Sequence, residues 1–160
     1  MTAAADPGRS ALAPMAAVED APNMRLTLSL RGDYAVRTML ALGEHREDGL
    51  LSAGRIAERM QIPVRFVAHV LTDLARAGLV AGRPGRRGGY RLARPASDIS
   101  LLRIVDAAGD RGDVARCVLR GGPCDPSGRC AVHDAFAAAN ESLQRELGAT
   151  RLSDLVAKLP

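Results

Sequence analysis

The chain of 160 residues has no Trp, two Tyr and two Phe. Its core must therefore be assembled from Leu, Val, Ile and Ala, which suits helices packing on helices better than a β-sandwich. Lysine occurs once, as Lys158, so the formal net charge of +4 is carried almost wholly by arginine. That is a mild lean toward anionic partners. No stretch approaches the roughly 18 consecutive apolar residues of a membrane span, so no membrane partner is expected. No serine or cysteine sits in a recognisable base arrangement, and no glycine-rich loop opens a helix in Walker fashion. An enzyme and a small-molecule substrate are both poor readings. The first 23 residues lack a basic start, and Pro14 breaks their only apolar run, so they do not read as a signal peptide. The expected location is the cytoplasm, and residues 1–25 read as a disordered tail.

What is present is helical periodicity. Tyr34, Val36, Met39, Leu40 and Gly43 recur at helical spacing between Asp33 and His45. Ser52 is placed to cap a second helix, with Ile56, Ala57 and Met60 on one face. Gln61-Ile62 interrupts it, and Pro63 opens a third helix in which Phe66, Val67, Val70, Leu71 and Leu74 form an apolar stripe. Gly78 ends that helix. Two helices joined by a short turn resemble a helix-turn-helix, a weak signal alone. LVAGRPGRRGGYRLARP then reads as a small hairpin, with six arginines and no acid between Arg76 and Pro95. A solvated loop usually mixes signs, so Arg83, Arg86 and Arg87 fit a wing lying on DNA phosphates. On the third helix the outward stripe is Arg65, Ala68, His69, Thr72 and Arg76. Arg65, His69 and Thr72 suit the edges of bases in a major groove, although each would look the same if merely facing solvent.

These features give a mainly α fold with a small β-hairpin wing: a winged helix-turn-helix over residues 26–96, then a cysteine loop and dimerisation helices over 97–160. The long helix of AVHDAFAAANESLQREL carries Val132, Phe136, Ala139, Leu143 and Leu147, more apolar surface than one small domain needs. A homodimer on a two-fold operator in double-stranded DNA is the expected assembly.

All three cysteines, Cys117, Cys124 and Cys130, fall within fourteen residues, and His133 follows three after the last. Three thiols cannot pair off into disulfides, and in a reducing compartment a thiol cluster points to metal or redox chemistry. Structural zinc would take Cys117, Cys124, Cys130 and His133 as a complete set, but only Cys130 and His133 have zinc-like spacing. An iron-sulfur cluster is larger than one ion and suits the wide gaps. A cluster-free thiol sensor is the third reading, with Arg116, Arg120 and Arg129 favouring thiolates. A small iron-sulfur electron carrier would want four local ligands and leaves the arginine hairpin without a role.

The stretches LSLRGDYAVRTMLAL, IPVRFVAHVLTDLARAGLV and GRRGGYRLARP, the three-cysteine loop and the closing TRLSDLV together resemble the winged-helix iron-sulfur transcription regulators that include IscR and NsrR. The resemblance runs from about Leu26 to Leu159. It implies a homodimeric regulator, a repressor by expectation, that senses redox state, nitric oxide or iron-sulfur status. Its cluster would be held by Cys117, Cys124 and Cys130. As fourth ligand the resemblance offers His133, which goes with a 2Fe-2S cluster and is favoured here, or Asp33 from the partner subunit with a 4Fe-4S cluster. The gap between Cys117 and Cys124 is slightly longer than in either named member.

Overall fold

The computed structural model describes residues 27–45, 49–110, 119 and 130–159. The tail expected over residues 1–25 lies outside them, as do Cys117 and Cys124. Among the described residues the order is α1 (Leu30–Glu44), α2 (Ala53–Met60), α3 (Val64–Arg76), β1 (Val80–Arg83), β2 (Gly89–Leu92), a 3-10 turn (Ala96–Asp98), α4 (Leu101–Ala107), α5 (His133–Ala149) and α6 (Leu152–Val156). No described helix is long and apolar enough to cross a membrane.

Helix α1 begins three residues earlier than its apolar pattern predicts. Ser29 is the N-cap, and its hydroxyl accepts the Gly32 N–H at 3.1 Å. Leu30 and Arg31 are exposed, so the first turn has no apolar signature to read. Asp33 therefore lies inside the first turn and not at the cap. The other boundaries follow local chemistry. The Ser52 hydroxyl accepts the Arg55 N–H at 3.3 Å at the start of α2. Gln61, left-handed at φ 53°, stops α2, and Pro63 leads into α3.

One apolar core joins these elements. Met39 and Leu42 of α1, Ile56 of α2, and Val67, Leu71 and Leu74 of α3 are buried together with Leu79, Ile99, Ile104 and Leu152. α1 packs on α2, α3, α4 and α6 and is the central helix. The wing is tied to the helical body through Leu51, which exchanges backbone hydrogen bonds with Tyr90 at 2.9 and 2.8 Å. Helix α5 differs from the rest: none of its 17 residues is buried, and its main neighbour is α4.

Thr38 sits in the middle of α1, fully buried, and its hydroxyl has no hydrogen-bond partner among the described residues. A buried donor left unsatisfied costs about 1–3 kcal/mol. Thr38→Val keeps the shape and removes the hydroxyl. It is expected to raise stability by about 1 kcal/mol, or roughly 2–4 °C in melting midpoint for a chain of this size. A midpoint unchanged or lowered in thermal denaturation would show that the hydroxyl is satisfied in solution.

Candidate nucleic-acid interface and thiol site

The outward side of α3 carries Arg65, Ala68, His69, Thr72 and Arg76, all exposed. Two of them are braced by the helix itself. The Thr72 hydroxyl donates to the Ala68 carbonyl at 2.9 Å, which leaves its oxygen as an outward acceptor. The His69 Nδ1 lies 2.9 Å from the Arg65 carbonyl. In the tautomer that donates there, Nε2 is an acceptor. The Arg65 guanidinium stacks on the Phe66 ring at 4.9 Å, and that ring leans on Tyr34 with centroids 5.5 Å apart. The stack positions the Arg65 charge at the N-terminal end of α3, the end that meets base edges in helix-turn-helix readers.

In the wing, Ala81 is opposite Arg91 and Arg83 is opposite Gly89. Strand alternation then puts Ala81, Arg83 and Arg91 on one face, while Val80, Tyr90 and Leu92 turn toward the core. Gly88 turns the tip: a Cβ there would stand 2.1 Å from the Arg83 carbonyl oxygen, so no side chain fits without moving the backbone. Arg83 and Arg91 line one open cleft with Gly49 and Leu50, and Arg91 and Arg94 line another with Ser97 and Ser153. Arg83, Arg86, Arg87, Arg91 and Arg94 are all exposed, and none forms an ion pair among the described residues. Three arginines of the helical body behave differently. Arg37 bonds Asp33 at 3.0 Å, Arg59 bonds Glu44 at 3.1 Å, and Arg31 pairs with Asp73. The hairpin pattern in the sequence singles out Arg83, Arg86 and Arg87. Arg91 joins them through the hairpin register, which sets it on the face of Arg83, and Arg94, beyond β2, through its exposure beside Arg91 in the second cleft.

At the thiol site, Cys130 is half-buried just before α5 and His133 is the first residue of that helix. The His133 backbone N–H donates to the Cys130 carbonyl at 3.0 Å, so the two side chains belong to one turn of chain. That puts a cysteine and a histidine within one turn of chain, residue types that suit either zinc or an iron-sulfur group. Asp33 is on α1, where its carboxylate accepts from Arg37 on the next turn. Among the described residues no three His, Cys, Asp or Glu side chains gather as a metal site.

Residues 28–158 match the family model of Rrf2, described as an iron-dependent transcriptional regulator. The transcriptional regulator IscR of Yersinia pestis is 33% identical over 133 residues, covering 83% of this chain and 79% of its own length. Among solved structures, IscR of T. potens superposes with a TM-score of 0.68 at 25% identity, covering 86% of this chain and 94% of that one. CymR, the global cysteine regulator of B. subtilis, superposes with a TM-score of 0.71 at 21% identity, covering 85% of this chain and all of that one, a likeness of fold.

Proposed function

For a chain that belongs to the Rrf2 family of winged-helix, DNA-binding transcriptional regulators, we propose the specific role of a homodimeric operator repressor gated by an iron-sulfur group. The observation that carries the DNA contact is the contrast among arginines. Arg31, Arg37 and Arg59 of the body are paired with acids, while the wing presents exposed arginines with no acid among them beside the exposed polar stripe of α3. Arg83, Arg86, Arg87, Arg91 and Arg94 would hold phosphates, and Arg65, His69 and Thr72 would meet base edges. Helix α5, with Phe136 38% exposed and no residue buried, supplies the surface for a second copy.

Cys117, Cys124 and Cys130 would hold the iron-sulfur group, with His133 as fourth ligand. Such a group supplies a charge and ligation state that changes with redox potential or with ligand attack. By holding it, these residues would tie the loop between α4 and α5 to the first turn of α5, where the two-fold contact begins. Operator affinity responds only insofar as the two states of the protein bind DNA with different free energies. His133 is preferred to Asp33 because it shares a turn with Cys130, while the Asp33 carboxylate already has Arg37. The 2Fe-2S form goes with that choice. Zinc held by the same four residues, or free thiols acting as the sensor, are the rival readings.

One experiment separates these readings: visible absorption of anaerobically purified protein, with iron, sulfide and zinc assays. Charge-transfer bands with iron and sulfide in equal amounts are expected, and His133→Ala should shift them while Asp33→Ala leaves them unchanged. A colourless protein with one tight zinc, or with no metal, would replace the cluster reading. Base readout is tested separately. Arg65→Ala or His69→Ala should relax preference at particular base pairs by about 1–3 kcal/mol for a good bidentate contact. Selection from a random-sequence DNA pool measures it, and an unaltered consensus would remove that side chain from the reading face.

A further inference from the structure

Asp110 stands seven residues before Cys117, at the point where the chain leaves α4 for the cysteine loop. Its side chain turns back to the opposite end of the sequence. Oδ2 accepts the Ser29 backbone N–H at 2.8 Å, a contact between residues 81 apart in the chain. The fit is close: a Cβ on Gly32 would lie 2.2 Å from the same oxygen. Gly32 thus leaves room for the carboxylate against the first turn of α1, where backbone N–H groups lack helical partners.

From that same turn, Arg31 reaches the reading helix. Its Nε donates to Asp73 Oδ2 at 2.9 Å, and a terminal nitrogen bonds the same oxygen. Asp73 is only 13% exposed, follows Thr72 on α3, and has Arg76 at 4.0 Å on its other oxygen. The two contacts, Asp110 to Ser29 and Arg31 to Asp73, are therefore separated by a single capped turn.

We infer that Asp110 is a positioning residue for DNA reading: it seats the first turn of α1 so that Arg31 holds Asp73, and with it the Thr72–Arg76 end of α3. The inference rests on α3 being the reading helix and on the cysteine loop being the sensor. A change in that loop would then reach α3 through Asp110, the residue at the loop's entry, without passing through the apolar core.

The test compares Asp110→Ala, Asp110→Asn, Arg31→Ala and the Asp110→Ala/Arg31→Ala double variant in the full-length protein. Amide hydrogen exchange is followed in the absence of DNA, and affinity is measured on a duplex selected from a random pool by the wild type. Asp110→Ala should speed exchange in the first turn of α1 and also at residues 72–76. It should weaken binding to the selected duplex about five- to tenfold, at the low end of typical coupling between sites. Asp110→Asn keeps an oxygen for the Ser29 N–H and should recover most of both effects, which a generally destabilised fold would not show. Arg31→Ala should reproduce the change at 72–76, and adding Asp110→Ala to it should give no further loss there. Faster exchange confined to α1, or effects of the two residues that simply add, would overturn the inference. If the wild type showed no sequence preference, the functional reading would fail, while the exchange data would still decide whether the path exists.

Discussion

Changing any one of Cys117, Cys124 or Cys130 to alanine is expected to abolish retention of the proposed iron-sulfur group. A cluster core is larger than a single ion and is usually fixed by thiolates on each accessible iron, so a single deletion leaves at least one iron open to water. The remaining Cys130 and His133, which share one turn of chain, could still hold one metal ion weakly. Loss should therefore appear as absent visible bands and absent sulfide, with some zinc uptake surviving in Cys117→Ala and Cys124→Ala. The proposed dimer should persist, because the exposed Phe136 that α5 offers to a second copy does not depend on the thiols. Full colour and sulfide in one variant would strike that cysteine from the ligand set. A monomeric variant would mean that the loop builds the dimer contact itself.

Much of the architecture was legible because local chemistry and apolar periodicity agree. Ser52, Ile56 and Ala57 announced α2, and Val67, Val70, Leu71 and Leu74 announced α3, since a cap residue and a 3-4 apolar repeat each leave a mark on sequence. The wing was legible from its glycines and arginines between two apolar ends. The start of α1 was not, because Ser29, Leu30 and Arg31 face solvent and carry no period. Nor could sequence show Asp110 against Ser29, a contact over 81 residues made by two polar groups. Gly32 gave no hint of the carboxylate packed on it, since a glycine that makes room for a distant side chain looks like any other. In the candidate interface the stripe from Arg65 to Arg76 could be placed by helical phase. The membership of Arg91 needed the strand register, because a shift of one residue would turn it to the other face.

The wing prediction separates an electrostatic role from a structural one. Arg86→Ala/Arg87→Ala should weaken binding to every duplex, specific or random, and flatten the dependence on salt. Each phosphate neutralised on B-DNA contributes about 0.9 to the slope of log affinity against log salt. Two arginines in each half of a dimer would thus account for up to about 3.6 of that slope. Between 50 and 200 mM salt the wild type should then lose up to roughly a hundredfold more affinity than the variant. The consensus selected from random DNA should stay the same, because a phosphate contact carries no base information. Folding should be undisturbed, since both side chains are exposed at the hairpin tip and neither is paired among the described residues. Arg59→Ala is the control for net charge: it removes one positive charge where the double variant removes two, and from a side chain already bonded to Glu44. Its slope should remain that of the wild type. A double variant with the wild-type affinity and slope would take the tip of the wing off the DNA and leave Arg83, Arg91 and Arg94 at its base as the remaining contacts. Flattening by Arg59→Ala of about half the size seen in the double variant would instead show that the effect follows net charge, with no phosphate localised at the wing.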